Sequence, residues 1–570
     1  MRVPKSSLPL FPPSDLTKTD SRRQFLQSSL FFASAAALLG MPGQVWAAGS
    51  ASAAASNSVS NAPLPPQEGV RGGTLSMGIY AEPTFLTSAF STAGPPMSVS
   101  TKLFDGLLEY DEQFRPQPKL VTAWNTSDDG LTMTFTLREG VLWHDGKPFT
   151  SSDVAWSLSN VWQKLHPQGR ITFAHVVDVQ TPNPLTIVLK LNQPSPYILN
   201  GLHASLSQVL PRHLYEGRDV LTNPVNNAPV GTGPFRFSKW QTGSFIELVR
   251  NEHYWQPQLP YLDKILFRFF PDSGSASAAL QTGDIQLATS ESIPQVDIQR
   301  LAKVPTLRVI TGDSPLSAAV LNLDFNLDRP VFKDVRVRQA LYHAVNRDFI
   351  VKNIYYGYAV PADAPLSKTF PQFYTNDVAH YPYDPKRAEA LLDEAGFKRG
   401  ADGVRFTVTL DSNPKTAMMQ TSQYLRAAYA QIGVRVNLQS EDFATYVKRI
   451  YTDRAFDLGL VLGSVGPDPV IGLQRFYASN SYVPGVPFSN GAHYVSAKAD
   501  QLLADAQQET NLKKRSQLYA DFQKLVETDL PRLPLVSLTT VVLYQKDLQQ
   551  LNNTTEATLG NFASLYFKKV

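Results

Sequence analysis

The chain of 570 residues contains no cysteine. That absence excludes disulfides, thiolate nucleophiles, Fe–S clusters, cysteine-ligated zinc and a lipidated N-terminal cysteine. Charge is scarce too, at 18% of residues against 43% hydrophobic and 11% aromatic. This is a globular composition, too apolar and too aromatic for a disordered chain. At about 150 residues per domain it leaves room for three to four domain-sized units. No stretch reaches 18 uninterrupted apolar residues, so none is long enough for a bilayer-spanning helix. Catalytic signatures are missing as well. There is no His-Glu-x-x-His and no Gly-x-Ser-x-Gly, and the nine histidines are scattered without metal-ligand spacing. The adjacent carboxylates Asp128-Asp129, Asp393-Glu394 and Glu441-Asp442 face different ways on any regular element. They suit a solvated surface, not an acid/base couple. No catalytic residue, metal ligand or cofactor is expected.

The small basic excess has one source. Residues 1–47 carry Arg2, Lys5, Lys18, Arg22 and Arg23 against Asp15 and Asp20, so the rest of the chain holds 47 basic and 47 acidic side chains. A neutral remainder offers no electrostatic footprint for nucleic acid. The basic segment has the order of an export signal. Ser21-Arg22-Arg23-Gln24-Phe25-Leu26-Gln27 is a twin-arginine pattern, the apolar run Leu30 to Met41 follows, and Val45-Trp46-Ala47 places cleavage after Ala47. Residues 1–47 are therefore expected to be a twin-arginine signal peptide. Residues 48–70, mostly Ala, Ser, Asn and Pro, are expected to be a disordered linker. The mature protein is expected to be soluble and periplasmic, without a lipid anchor.

Order is expected from Arg71, with a strand over Thr74–Tyr80. Leu131, Met133, Phe135 and Leu137 alternate with threonines, the period of a strand with one buried face. Val141-Leu142-Trp143 is expected to return after the turn at Glu139-Gly140, and Thr150-Ser151-Ser152-Asp153 is a capping box opening a helix at Val154. Further strands are expected over 185–191, 235–240, 245–250 and 265–270, and a helix over Ser273–Thr282 ends at Gly283. The middle of the chain turns to α/β logic: helices over 332–345 and 421–432, one between Asp384-Pro385 and Gly396, and a strand over 434–438. Residues 501–530 are again helical. Leu316–Phe325 and Leu533–Tyr544 have the pattern of strands buried on both faces.

Five segments in order carry a resemblance. They are Leu137-Arg138-Glu139-Gly140-Val141-Leu142-Trp143-His144-Asp145-Gly146-Lys147-Pro148-Phe149-Thr150-Ser151-Ser152-Asp153-Val154, Pro229-Val230-Gly231-Thr232-Gly233-Pro234-Phe235, Asn251-Glu252-His253-Tyr254-Trp255, Phe332–Leu341 and Asp384–Leu392. Over about 71–570 the chain resembles the family 5 extracellular solute-binding proteins of ABC importers, the dipeptide/oligopeptide/nickel-binding type. The resemblance implies a two-lobed α/β periplasmic-binding-protein-like fold of type II, large cluster C type, with an extra subdomain at about 113–205. The first lobe is then 71–314, the second 315–534, and 535–570 returns to the first. The two buried strands become the hinge. It also implies a periplasmic receptor that hands a peptide-like or other small polar solute to a membrane permease and ATPase complex, working as a monomer. A periplasmic hydrolase or a sensory receptor on the same scaffold are the alternatives.

Within the resemblance, two segments line the cleft: Tyr80-Ala81-Glu82-Pro83-Thr84 and Val461 to Pro469. The expected ligand-binding residues are Tyr80, Glu82, Phe325, Ser464, Gly466 and Asp468. Peptide-binding members place an aspartate where this chain has Val465, to pair with the peptide's ammonium, and a tryptophan where it has Leu462. The arginine that dipeptide binders use for the carboxylate has no counterpart in Thr409–Asn413. An ordinary free peptide gripped at its amine is therefore not expected, and a modified or blocked peptide, a sugar–phosphate conjugate such as an opine-like compound, or another polar metabolite fits better. Gly231-Thr232-Gly233-Pro234 lacks the third glycine and following helix of a phosphate loop. Arg336, Arg338 and Arg347 are expected on solvated faces or in pairs within one lobe.

Overall fold

Alternation builds the first sheet. Phe245–Arg250 buries Ile246 and Leu248, and Lys264–Phe269 buries Ile265 and Phe267, every second residue in each case. In the computed structural model, which describes residues 69–270, 272–312, 315–413, 415–551 and 557–568, seven strands form this sheet. Their order is Leu307–Gly312, Thr540–Gln545, Leu287–Thr289, Thr74–Ile79, Lys264–Phe269, Phe245–Arg250 and Phe235–Gln241. The expected signal peptide and most of the expected linker lie outside the described residues. Gly69 and Val70 do not, and Gly69 already packs so closely on the Tyr261 ring that a Cβ would fall 2.2 Å from it.

The second sheet has six strands, in the order Ala359–Pro361, Arg532–Leu538, Ala319–Phe325, Leu458–Ser464, Phe406–Ser412 and Val434–Ser440. Ala319–Phe325 is paired on both sides and buries six of its seven residues, which is why all but Asn322 and Asp324 are apolar; the buried Asp324 pairs with Arg532. The chain passes from the first sheet to the second between Gly312 and Ala319. It returns at Thr539, the single residue between Arg532–Leu538 in the second sheet and Thr540–Gln545 in the first. The return thus falls after the residue 535 expected from sequence, because Leu538 still pairs with Ala319.

A third sheet of four strands, Val121–Thr126, Thr132–Leu137, Thr186–Leu191 and Val176–Asn183, lies within the span expected for the extra subdomain. Its inward residues Met133, Phe135, Ile187 and Leu189 share one core with Leu75, Leu248 and Phe267 of the first sheet. Val141–Trp143 is not a strand of this sheet. A single bridge joins Leu142 to Pro148, and the Trp143 amide donates to the Lys147 carbonyl at 2.8 Å, closing a tight turn.

Local chemistry sets the helix ends. The Asp272 side chain accepts from the Ser275 amide to start Ser273–Thr282, and Gly283 at φ 86° ends it. Asp384 caps Pro385–Glu394 in the same way. The helix expected over 501–530 is two, Ala497–Gln508 and Leu512–Asp529, because the Asn511 side chain caps the second. The helix expected from 421 begins earlier, at Thr416.

Candidate functional site

The pairing registers place the site. In the first sheet Thr74–Ile79 runs parallel to Lys264–Phe269 and Leu287–Thr289, so Ile79, Phe269 and Thr289 end on one edge. Gly312 and Thr540 pair with one another at that edge, where the chain crosses. In the second sheet Ser412 pairs with Ser440 in parallel, and Ser464 and Leu538 both pair with Ala319 at the crossing edge. The carboxyl ends of the parallel strands of both sheets therefore meet across two crossing segments. Open α/β sheets bind ligands at this kind of crevice.

Three side chains from the two walls meet there. Tyr80, one residue past its strand, keeps 40% of its surface exposed. The surrounding protein and the Glu291 carboxylate push its hydroxyl up to about 12. Glu291 lies two residues past Leu287–Thr289. It is exposed at its strand end; desolvation by the surrounding protein raises its carboxyl, and the charge of Lys415 partly offsets the rise. Gly94 sits beside both. A Cβ there would lie 3.1 Å from the Tyr80 hydroxyl and 3.5 Å from Glu291 Oε2. From the second wall, the Lys415 ammonium stands 5.6 Å from the centre of the Tyr80 ring. Lys415 is the N-cap of Thr416–Gln431, and no side chain caps that helix start.

The expected site residues divide. Tyr80 stands at the crossing edge, one residue past its strand. Ser464 ends its strand on the crossing edge, and its Oγ accepts from the Gly466 amide at 3.3 Å. Gly466 has φ 69°, and a Cβ there would meet Gly472 at 3.2 Å and Gln168 of the first lobe at 3.5 Å. Glu82 is spent elsewhere. It accepts from Trp240 Nε1 at 2.7 Å and from the Gly243 amide at 3.1 Å, fastening the hairpin turn between Phe235–Gln241 and Phe245–Arg250. Phe325 is fully buried at the other end of its strand, opposite Leu458, with its ring 5.0 Å from that of Phe332. It fills the core of the second lobe and does not face the cleft.

Asp468 is fully buried and fully used. Arg515 donates to it twice, Asn200 Nδ2 donates at 3.0 Å, and the Val470 amide donates at 3.0 Å. Its carboxylate therefore organises the short helix Pro469–Gly472, whose Val470 and Ile471 are buried in the core of the first lobe. Gln507 adds a second bridge between lobes, to His175 Nε2 at 3.1 Å and Tyr197 Oη at 3.3 Å. Val465 is buried with Leu473 and Phe476. The arginines follow the expected reading: Arg336 pairs with Asp334, Arg347 with Asp363, and Arg338 donates to the carbonyls of Phe332 and Asp529.

Arg449 Nε holds the buried Asp411 at 2.6 Å, tying the segment after Phe443–Lys448 to Phe406–Ser412. A separate groove of about 600 Å³ between the subdomain and the second lobe is lined by Asp128, Asp129, Asp505, Glu509 and Lys514. Three of its carboxylates are engaged locally, Asp129 with Ser127, Asp505 with Gln501 and Glu509 with the Asn511 amide. Sequence reasoning missed Glu291 and Lys415. Both follow strand ends, but only the parallel register of Met77 with Leu287 brings the first to Tyr80.

Residues 115–484 match the family described as bacterial extracellular solute-binding proteins, family 5 Middle. A Brucella ovis protein named as an ABC transporter peptide-binding protein is 32% identical over 442 residues, covering 75% of this chain and 80% of its own. The glutathione-binding protein GsiB of Salmonella typhimurium is 29% identical over 459 residues, covering 79% and 86%. Among solved structures, NikZ of Campylobacter jejuni in complex with Ni(L-His) superposes with a TM-score of 0.74 at 28% identity, covering 86% of this chain and 97% of its own. The oligopeptide-binding protein AppA of Bacillus subtilis, in complex with a nonapeptide, gives 0.75 at 26% identity, covering 88% and 100%. With two sheets meeting across two crossing segments, and with this match over most of its length, the chain belongs to the bacterial extracellular solute-binding proteins of family 5.

Proposed function

We propose that this chain is the substrate-binding component of an ABC importer, capturing a peptide-like or other small polar solute between its lobes and delivering it to a permease and ATPase complex. The observation that carries this is the meeting of both sheets' carboxyl ends across segments short enough to act as a hinge. A solute touching Tyr80 on one wall and Lys415 on the other stabilises the closed arrangement, so closure reports occupancy to the membrane partner. The relatives named above are binding proteins, and the chain is proposed to bind its solute without turning it over. The twin-arginine pattern at Arg22-Arg23 supports export of the folded chain to the periplasm, where it acts as a soluble monomer without a lipid anchor.

Native mass spectrometry of the purified protein identifies retained cargo. Small-angle scattering after cargo removal and re-addition is expected to show compaction of a monomer, with the solute recovered unchanged. Turnover of the solute, or no change in dimensions, would overturn the receptor assignment. Replacing Arg22 and Arg23 together by lysine is expected to hold the precursor in the cytoplasm.

A further inference from the structure

One stretch of the second lobe is shared between two cores. Val465 and Leu473 share a core with Val320 of the second sheet. Between them in sequence, Val470 and Ile471 are 1% and 0% exposed and share a core with Trp162, Phe173, Tyr197 and Ile198, on the side of the third sheet. Ile471 lies against Gly201, where a Cβ would stand 3.5 Å from its Cδ1. Two polar contacts flank this insertion. Asn200 Nδ2 donates to Asp468 at 3.0 Å. Gln507, at the end of Ala497–Gln508, donates to His175 Nε2 at 3.1 Å and to Tyr197 Oη at 3.3 Å, and accepts from Gln474 Nε2 at 3.3 Å. Asn192 Oδ1 stands 2.9 Å from His175 Nδ1, which fixes the tautomer that leaves Nε2 as an acceptor.

These contacts are of a kind that can part. Asp468 draws its counter-charge from Arg515, on its own side of the gap, so the bond to Asn200 can break without leaving a buried charge uncompensated. What crosses the gap is neutral: two side-chain amides and the aliphatic Val470 and Ile471. Tyr80 and Lys415, by contrast, meet through an ammonium 5.6 Å from a ring centre. One flank of the molecule is thus bonded across the lobes, and the other is left for the solute. Building on the receptor assignment, we infer that Asn200, Gln507 and Ile471 form a latch that supplies part of the free energy of closure without the solute. The apparent Kd of a receptor is its intrinsic Kd divided by the fraction of molecules in the binding-competent state. The latch sets that fraction, so Asn200 and Gln507 are positioning residues that tune affinity through closure.

Because the chain has no cysteine, two spin labels can be placed at chosen positions. Leu221→Cys in the first lobe and Val495→Cys in the second are exposed sites, at 53% and 67%. Pulsed electron–electron double resonance, on protein freed of cargo by unfolding in urea and refolding, reads the distance between lobes. A short and a long distance are expected. Gln507→Ala is expected to lower the closed-to-open ratio about 3- to 10-fold, the range of one hydrogen bond. Asn200→Ala is expected to act similarly, and Asn200→Asp to lower the ratio further by setting a second carboxylate against Asp468. Circular dichroism checks folding. A merely structural role for these residues would lower the urea midpoint and leave the ratio unchanged. A single long distance in the native protein, or variants with the native ratio, would overturn the latch. Both results leave the receptor assignment standing, since that rests on compaction by cargo in scattering. A single short distance in every protein, with no compaction by cargo, would count against both.

Discussion

Asp468 and Arg515 form a two-pronged ion pair, Nη1 to Oδ2 at 2.8 Å and Nη2 to Oδ1 at 2.6 Å, with side-chain exposures of 0% and 6%. The partners come from Pro469–Gly472, where Asp468 is the cap, and from Leu512–Asp529. Burial works against the arginine's charge, but the facing carboxylate outweighs it and raises the guanidinium further above its usual range. Removing one partner leaves a buried charge uncompensated, which costs about 3–5 kcal/mol. Arg515→Ala and Asp468→Ala are each expected to lower the free energy of unfolding by about that amount in urea titration. The double variant is expected to lose less than the sum. Additive losses would show that the two groups are independent.

Glu82 and Phe325 make the contrasting case, because neither faces the cleft. Glu82→Gln removes the charge-assisted bonds to Trp240 and Gly243. It is expected to destabilise the protein by about 1–2 kcal/mol and to leave solute affinity within about twofold. Phe325→Ala empties a site in the core of the second lobe, at an expected cost of about 3–5 kcal/mol. Calorimetric titration of the solute identified by mass spectrometry, beside denaturant curves, separates the two effects. A large affinity loss in Glu82→Gln at unchanged stability would return that residue to the site.

These cases show what the sequence could carry. Helix Ser273–Thr282 was legible to the residue because Asp272 and Gly283 act locally. Tyr80 came from the family resemblance, which places the turn after the first strand at the cleft, and the structure sets it one residue past Thr74–Ile79. The role of Glu82 was not legible, since its partner Trp240 lies 158 residues away. Phe325 was misplaced because a strand buried on both faces has no pattern to tell its cleft end from its core end; only the register of Ala319 with Ser464 does. The return at Thr539 was hidden for a similar reason. Leu533–Tyr544 is apolar on both sides of it, and nothing in that run marks the change of sheet.

Gly231 and His144 explain a motif that superficially resembles a phosphate loop. A Cβ on Gly231 would lie 1.8 Å from the Leu103 carbonyl oxygen, and one on Gly233 would lie 2.7 Å from the Leu103 carbonyl carbon. Both glycines thus let the end of helix Gly94–Leu103 rest on this turn. His144 clasps the same turn, accepting from the Gly231 amide at Nδ1 and bonding the Gly233 carbonyl through Nε2. Burial lowers its imidazole from 6.5 to about 4. Between those values the unfolded chain takes up a proton that the folded chain refuses. Stability from this group is therefore complete above about pH 6.5 and is lost as pH falls towards 4. NMR is expected to show the His144 ring neutral at pH 5.5. Gly231→Ala is expected to prevent folding or to cost more than about 3 kcal/mol. A ring titrating near 6.5 would contradict the clasp.

Glu527 gives pH dependence of the opposite sense. It is 1% exposed, and neither carboxyl oxygen has a hydrogen-bond partner. Burial raises its pKa well above 4.5, with nearby Arg347 opposing and Asp363 adding to the rise. Below pH 4.5 the group is protonated in both states and adds no pH dependence. As pH rises above 4.5 the unfolded chain ionises while the folded chain keeps its proton, so stability falls by about 1.4 kcal/mol per pH unit until the folded pKa is reached. Glu527→Gln keeps the shape and removes the titration. The difference in unfolding free energy, variant minus native, is expected to be flat below pH 4.5 and to grow in the variant's favour from pH 5 to 7. Urea titrations of both proteins across that range measure it. A difference that stayed constant with pH would mean that Glu527 is ionised and compensated in the folded protein, with Arg347 as its counter-charge despite the pairing of that arginine with Asp363 at 2.8 Å.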